Sequence, residues 1–262
     1  MFFLKEQTDL FDTRRSSNDY LHIDFHSHIL PFMDDGCRSS EEAIELLKMT
    51  REQGVGKIVA TPHFYPTREN PESFLERRSA SVDKLVEAIE MAQIPKESVP
   101  EVYVGAEVAY FSGIAGCSTI DKLCVLGTNL LLIELPFERW SESVIEEIIT
   151  LQRRLDIVPV IAHVERYICF QTRDLAEQLM LSDLLIQSNC SAFLNLSSKR
   201  FALRELKRGC IDLLGSDAHN LTSRTQTFGK AIKLIEKKLG ENAVNEIIRF
   251  GNYILENAEP II

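Results

Sequence analysis

The sequence predicts an α/β fold: a parallel sheet covered by helices, more easily read as a closed β/α barrel than as an open sheet. Three observations carry that expectation. Short runs rich in Val, Ile and Leu recur along the chain, amphipathic stretches lie between them, and the runs end in polar residues. The runs cover residues 20–25, 57–61, 101–104, 130–133, 157–162, 184–187 and 211–214. Apolar runs this short read as buried strands. The first helix is expected over 39–53, where Ser39 precedes Glu42 by three positions, a capping-box spacing, and Gly54 stops it. Further helices are expected over 74–91, 142–155, 172–180, 198–207, 227–239 and 241–256. Residues 64–71, with Pro66, Arg68 and Pro71, read as a polar loop. About seven strand–helix units fit a barrel, in which strand ends on one rim converge on one site.

The chain has 262 residues, and no internal linker or repeat divides it. We expect a polar N-terminal extension over residues 1–20 and a single domain over 21–262. No run approaches the ~18 apolar residues that span a bilayer, and no signal peptide is expected, so a cytoplasmic protein without membrane insertion follows. A net charge of −10 argues against a nucleic-acid partner, because steering to a phosphate backbone needs positive charge. The six cysteines, at positions 37, 117, 124, 169, 190 and 210, include no C-x-x-C pair and no arginine six positions on. They read as reduced, mostly buried thiols, and a thiolate nucleophile in a phosphate loop finds no support.

The chemistry lies in the histidines. Five of the six fall at or just after a predicted strand end: His26 and His28, His63, His163 and His219. Glu107 and Glu134 take the matching place after the third and fourth runs, and Asp217 follows the seventh. A lone strand-end histidine is usually structural, and His22, inside the first run, is read so. Coincidence at strand after strand points instead to imidazoles and carboxylates converging on metal ions such as Zn, Mn or Fe. In H-x-H the two side chains share a face of an extended segment. The ligands outnumber what one ion needs, so two or three ions are expected, with Glu107 as a natural bridge. Asp34-Asp35-Gly36 makes a turn, and its place soon after H-x-H makes Asp35 a further candidate ligand. Arg166, three residues after His163, and Arg224, five after His219, suit bidentate phosphate binding.

These stretches together resemble the PHP (polymerase and histidinol phosphatase) superfamily, and more closely its bacterial manganese-dependent tyrosine-protein phosphatases that regulate capsule and exopolysaccharide synthesis. The matching stretches are Ile23-Asp24-Phe25-His26-Ser27-His28-Ile29, Asp34-Asp35-Gly36, Ile58-Val59-Ala60-Thr61-Pro62-His63 and Gly105-Ala106-Glu107. Leu132-Ile133-Glu134, Ala162-His163-Val164-Glu165-Arg166-Tyr167 and Ser216-Asp217-Ala218-His219-Asn220 complete them. The resemblance implies a distorted seven-stranded (β/α) barrel with its metals on the C-terminal rim of the strands. It implies that His26, His28, Glu107 and Asp217 hold one ion, that Glu107 bridges to a second held with Glu134 and His163, and that Asp35, His63 and His219 hold a third. Two or three Mn²⁺ ions are implied, with Fe and Zn as alternatives. Arg166 and Arg224 match phosphate-binding arginines, and Asp217 and His219 are candidates to assist proton transfer.

The reaction implied is phosphoric monoester hydrolysis of phosphotyrosine by metal-activated hydroxide. The partner implied is the C-terminal tail of a bacterial tyrosine kinase, and the oligomeric state is left open. Another PHP phosphoesterase, such as a histidinol phosphatase, would share the ligands. An amidohydrolase usually needs a metal-bridging lysine where this chain has Glu134. A scaffold that binds phosphotyrosine without turnover would not need a complete ligand set.

Overall fold

The computed structural model describes residues 22–262. The expected extension over 1–20 and the start of the first apolar run lie outside the described residues. Among the described residues nine strands follow one another: β1 (His22–Ser27), β2 (Val55–Ala60), β3 (His63–Phe64), β4 (Glu101–Val104), β5 (Glu107–Ala109), β6 (Leu130–Glu134), β7 (Val158–Ile161), β8 (Leu185–Asn189) and β9 (Leu213–Gly215). The α-helices among the described residues are α1 (Ser40–Glu52), α2 (Pro71–Met91), α3 (Glu142–Leu155), α4 (Arg173–Met180), α5 (Cys190–Leu194), α6 (Lys199–Lys207), α7 (Phe228–Leu239) and α8 (Glu241–Ile254). The strands pair in parallel in the orders β1-β2-β4 and β3-β5-β6-β7-β8-β9. A parallel bridge from Ser27 to Ala218 joins the end of β1 to the segment after β9.

The seven expected strands are present, with shifted ends. β1 runs on to Ser27, so His26 lies inside it. Two strands were not expected. β3 and β5 continue β2 and β4 after breaks at Thr61-Pro62 and Gly105-Ala106, and bonds from Gly105 N to Ala60 O (2.8 Å) and Glu107 N to Pro62 O (3.0 Å) carry the pairing across. The expected loop over 64–71 is shorter: Phe64 belongs to β3, and Pro71 opens α2 behind Asn70, whose side chain accepts from Ser73 N at 2.8 Å. The one-turn helix α5 was not expected either.

The sheet curls, because inner residues of seven strands meet in one cluster. Ile23 and Phe25 of β1, Val59, Tyr103, Leu130, Leu132, Val160, Leu185 and Leu213 pack together, and Phe250 of α8 and Leu255 just after it join them. Each such side chain contributes about 1.5–3 kcal/mol on burial. Helices cover the outer face. In α1, Ala43, Ile44, Leu46, Leu47 and Thr50 are buried at helical spacing, and Ser39 caps the first turn by accepting from Glu42 N at 3.2 Å.

β1 contains the irregularity that matters most for the site. Asp24 pairs with Ile58 and Ser27 with Ala60, so three steps on β1 oppose two on β2. Side chains alternate along a strand, so His26 and His28 would otherwise face away from the side taken by Ile23 and Phe25. The extra residue shifts that phase, as a β-bulge does, and turns both imidazoles inward. Asp24, left on the other face, is fully buried and bonds Ser216 N (2.7 Å) and Gln226 Nε2 (3.0 Å).

Candidate metal centre

Polar burial concentrates at the C-terminal ends of the strands. His26, His28, His163 and His219 are fully buried, Glu107 and Asp217 nearly so, and His63 and Glu134 half-buried, while Asp35 is exposed. The turn after β1 brings its acids back over the H-x-H pair. A Cβ on Gly36 would lie 2.2 Å from the His28 carbonyl, so only glycine permits this approach. Gly215 is similarly constrained, since its Cβ would lie 2.5 Å from the Cβ of His26. His163 (φ 29°) and Asp217 (φ 54°) both take left-handed backbone, a conformation costing of order 1–3 kcal/mol that clusters at functional sites.

The structure brings together all nine residues expected from sequence as ligands. Ligand atoms converge in four overlapping groups: His28, Asp35, His63 and His219; His26, His28 and Asp217; His26, Glu107 and His163; and His63, Glu107 and Glu134. Glu107 is central. Its Oε2 lies 3.3 Å from Nε2 of both His26 and His28 and 2.8 Å from His63 Nδ1, and its Oε1 lies 2.7 Å from His163 Nε2. Glu134 Oε1 is 3.5 Å from His163 Nε2, and Asp35 Oδ1 is 3.4 Å from His219 Nε2 and 3.7 Å from His63 Nε2.

The hydrogen-bond pattern tests whether this set suits cations. His26 Nδ1 faces Gln187 Oε1 at 3.3 Å, and that oxygen is fixed as an acceptor by His163 N at 2.7 Å. His28 Nδ1 faces Asp34 Oδ2 at 2.8 Å. Both acceptors place the imidazole proton on Nδ1, leaving two Nε2 lone pairs 3.1 Å apart. Lone pairs hold that distance only around a shared cation or proton, and two ligands about 2.1 Å from one ion at right angles are about 3 Å apart. His219 repeats the arrangement: Nδ1 bonds the Asp217 carbonyl at 2.9 Å and Nε2 is buried without a partner. Glu107 Oε2 and His63 Nδ1 lie 2.8 Å apart without hydrogen-bond alignment, and His163, which meets Glu107 through Nε2, has its buried Nδ1 without a hydrogen-bond partner. Buried polar atoms are nearly always satisfied, so a group of orphans on converging ligands fits divalent ions.

The electrostatics divide the histidines: burial alone would lower His26 and His28, but Glu107 and Asp217 beside the first and Asp34 beside the second raise both, His28 to about 10, so this pair attracts positive charge. Burial pushes His163 down to about 4, and burial together with the charge of His28 pushes His219 down to about 3, so both imidazoles are neutral at pH 7, the form that can bind a cation. Burial and the neighbouring charge of Glu107 push Glu134 up to about 7. Carboxylates this crowded call for a cation between them.

Both expected arginines reach the cluster. Arg224 Nη2 lies 2.7 Å from Asp217 Oδ1 and its Nη1 3.2 Å from Asp35 Oδ2, while Arg166 Nη2 bonds Asp217 Oδ2. Asp217 is held well below the usual carboxylate range: burial alone would raise it, and the charges of His26, Arg166 and His28 outweigh that.

Several supporting residues went unnoticed in the sequence. Asp34 bonds His28 Nδ1 and accepts from His63 N at 2.9 Å, so the first acid of the D-D-G turn orients two histidines while the second is the candidate ligand. Gln187 links His26 and His163, and Asn189 Nδ2 bonds Asp217 Oδ2 at 3.0 Å. Glu165, half-buried, accepts from Ser188 Oγ at 3.0 Å, and its removal from water pushes it up to about 7. H-x-H and D-D-G spacing could have flagged Asp34, whereas an uncharged amide inside a buried strand carries no comparable signal.

The family model described as capsular polysaccharide synthesis, CpsB/CapC, matches residues 22–261. The chain belongs to this family. It is 29% identical over 248 residues to the tyrosine-protein phosphatase YwqE of Bacillus subtilis (strain 168), covering 90% of this chain and 92% of that protein. It is 28% identical over 252 residues to the tyrosine-protein phosphatase CpsB of Streptococcus agalactiae serotype V, covering 92% and 98%. A solved structure superposes with a TM-score of 0.74 at 27% identity over 90% of this chain and 95% of its own, from work on YwqE of Bacillus subtilis and CpsB of Streptococcus pneumoniae as metal-dependent tyrosine phosphatases. The family places the PHP-type resemblance of the sequence on firm ground. Among the described residues no helix is long and apolar enough to cross a membrane.

Proposed function

We propose that this CpsB/CapC-family chain is a metal-dependent protein-tyrosine phosphatase that hydrolyses phosphotyrosine on a bacterial tyrosine kinase controlling capsular and exopolysaccharide synthesis. The observation that carries the reading is a nine-residue His/Asp/Glu cluster, with unpartnered lone pairs, meeting two arginines at the strand ends. His26, His28, Glu107 and Asp217 would hold one ion, Glu107, Glu134 and His163 a second, and Asp35, His63 and His219 a third. Mn²⁺ is the ion we assign. Bound there, such ions supply an activated water and neutralise charge on the transferring phosphoryl group.

The chain's own residues supply the rest. Arg166 and Arg224 present guanidinium forks at the edge of the cluster, and substrate phosphate oxygens take the place now held by Asp217 and Asp35. Their fixed positive charge then stabilises the transition state. The leaving phenolate, with a phenol pKa of about 10, needs little acid assistance. Asp217 and His219 are the two candidates to assist with that proton. The Nδ1 proton of His219 is engaged by the Asp217 carbonyl at 2.9 Å, which favours its ligand role.

The same proposal covers the architecture. β2 with β3 and β4 with β5 each count as one interrupted strand, and the Ser27–Ala218 bridge closes a distorted seven-stranded barrel with the metals on its C-terminal rim. Residues 21–262 form one domain, acting in the cytoplasm on the kinase's flexible C-terminal tail.

The test is phosphate release by metal-stripped protein reloaded with Mn²⁺, given a phosphotyrosine peptide and, separately, histidinol phosphate. Release from the peptide supports the proposal. Release from histidinol phosphate alone moves the same site to a different PHP phosphoesterase and overturns it.

A further inference from the structure

Beside His63 and Asp35 a cavity of about 570 Å³ opens outward past Met33 and Tyr65 to Arg68. It adjoins two candidate ligands, so a substrate held at the cluster has this space for its leaving group and the chain around it. Three groups form a stack from the cluster to the surface. The rings of His63 and Tyr65 are 5.1 Å apart, and the Arg68 guanidinium lies over the other ring at 4.4 Å from its centroid. The backbone holds this stack in place: Arg68 N and Glu69 N both bond Tyr65 O, at 2.9 and 3.3 Å, just before the Asn70 cap of α2.

The charges of the cavity single out one of them. Glu69 is tied to Arg77 at 3.0 Å, Asp34 to His28 at 2.8 Å, and Asp35 to Arg224 at 3.2 Å. Arg68 has no carboxylate partner among the described residues, in a chain with 39 acidic against 29 basic side chains. A guanidinium with a free fork, fixed by stacking at the mouth of a substrate cavity, is a receptor for an anion.

We propose that Arg68 recognises an anionic group on the substrate peptide within a few residues of the phosphotyrosine, making this a phosphatase that prefers acidic or multiply phosphorylated tyrosine segments. The inference rests on the phosphotyrosine reading above. A carboxylate and a second phosphotyrosine share the chemistry, and the test separates them.

Four phosphotyrosine peptides, alike except for Glu, phosphotyrosine, Gln or Lys beside the scissile residue, are compared with full-length Mn²⁺-loaded protein. Wild type should favour the Glu or the doubly phosphorylated peptide over the Gln peptide by up to about fivefold in kcat/KM, through KM. Arg68→Ala should remove that preference, and Arg68→Glu should shift it to the Lys peptide. Phosphonomethyl versions, which cannot be hydrolysed, should give the same ratios in Kd. The larger gain identifies which anion is read. Equal kcat/KM in wild type for the Gln peptide and both anionic peptides, or a preference unchanged in Arg68→Glu, overturns the inference while leaving the phosphatase reading intact. Failure of wild type to release phosphate from all four overturns the phosphatase reading itself.

Discussion

Along β1, Ile23 and Phe25 enter an apolar cluster closed by Phe250 and Leu255, while His26 near its end and His28 just past it stand among carboxylates. The two ends of one strand obey different rules. At the N-terminal end contacts are made within the chain: Lys57 Nζ bonds Asn252 Oδ1 at 2.9 Å, and Ile261 N bonds Val102 O at 2.8 Å. At the C-terminal end left-handed residues, crowded acids and free lone pairs persist. One end holds the fold by itself. The other gathers imidazoles and carboxylates in groups that suit a cation.

If this division is right, substitutions at the two ends should separate activity from stability. The largest loss is expected for Glu107→Gln, which removes a charge facing four histidines. Phosphate release should fall by roughly a thousandfold or more, and metal analysis should show at least one ion fewer per chain. Arg166→Ala comes next, with kcat/KM down about a hundredfold and metal content kept. A loss of metal in that variant would mean the arginine supports Asp217 instead of binding phosphate. Asp34→Asn leaves every candidate ligand in place but weakens the acceptor that orients His28. Metal affinity, measured by chelator competition, should fall about 10–100-fold. The smallest effect on activity is expected at the other end. Leu185→Ala, in the inner cluster, should cost about 2–5 kcal/mol in urea unfolding and leave kcat/KM at 25 °C as in wild type.

Much of the site was legible because its residues obey short-range rules. H-x-H, D-D-G and a histidine or carboxylate at six of the seven expected strand ends are patterns of spacing, and all nine candidate ligands fell among them. What was hidden depends on geometry between segments. The bulge that turns His26 and His28 inward is visible only in the pairing of β1 with β2. β3 and β5, two and three residues long, are too short to show a period. Gln187 and Asn189 are uncharged amides in a buried strand, and their importance comes from His163 and Asp217, which lie 24 and 28 positions away. Helix starts shifted for local reasons, as at Asn70-Pro71, where cap chemistry set the boundary ahead of the first buried residue, Phe74.

The most direct measurement is anomalous diffraction at the manganese edge from crystals of Mn²⁺-reloaded protein, with metal content determined on the same sample. Two or three peaks should appear within coordinating distance of the nine residues, at least one of them shared by Glu107. Full phosphotyrosine phosphatase activity in protein that shows no peak beside Glu107 would contradict the account.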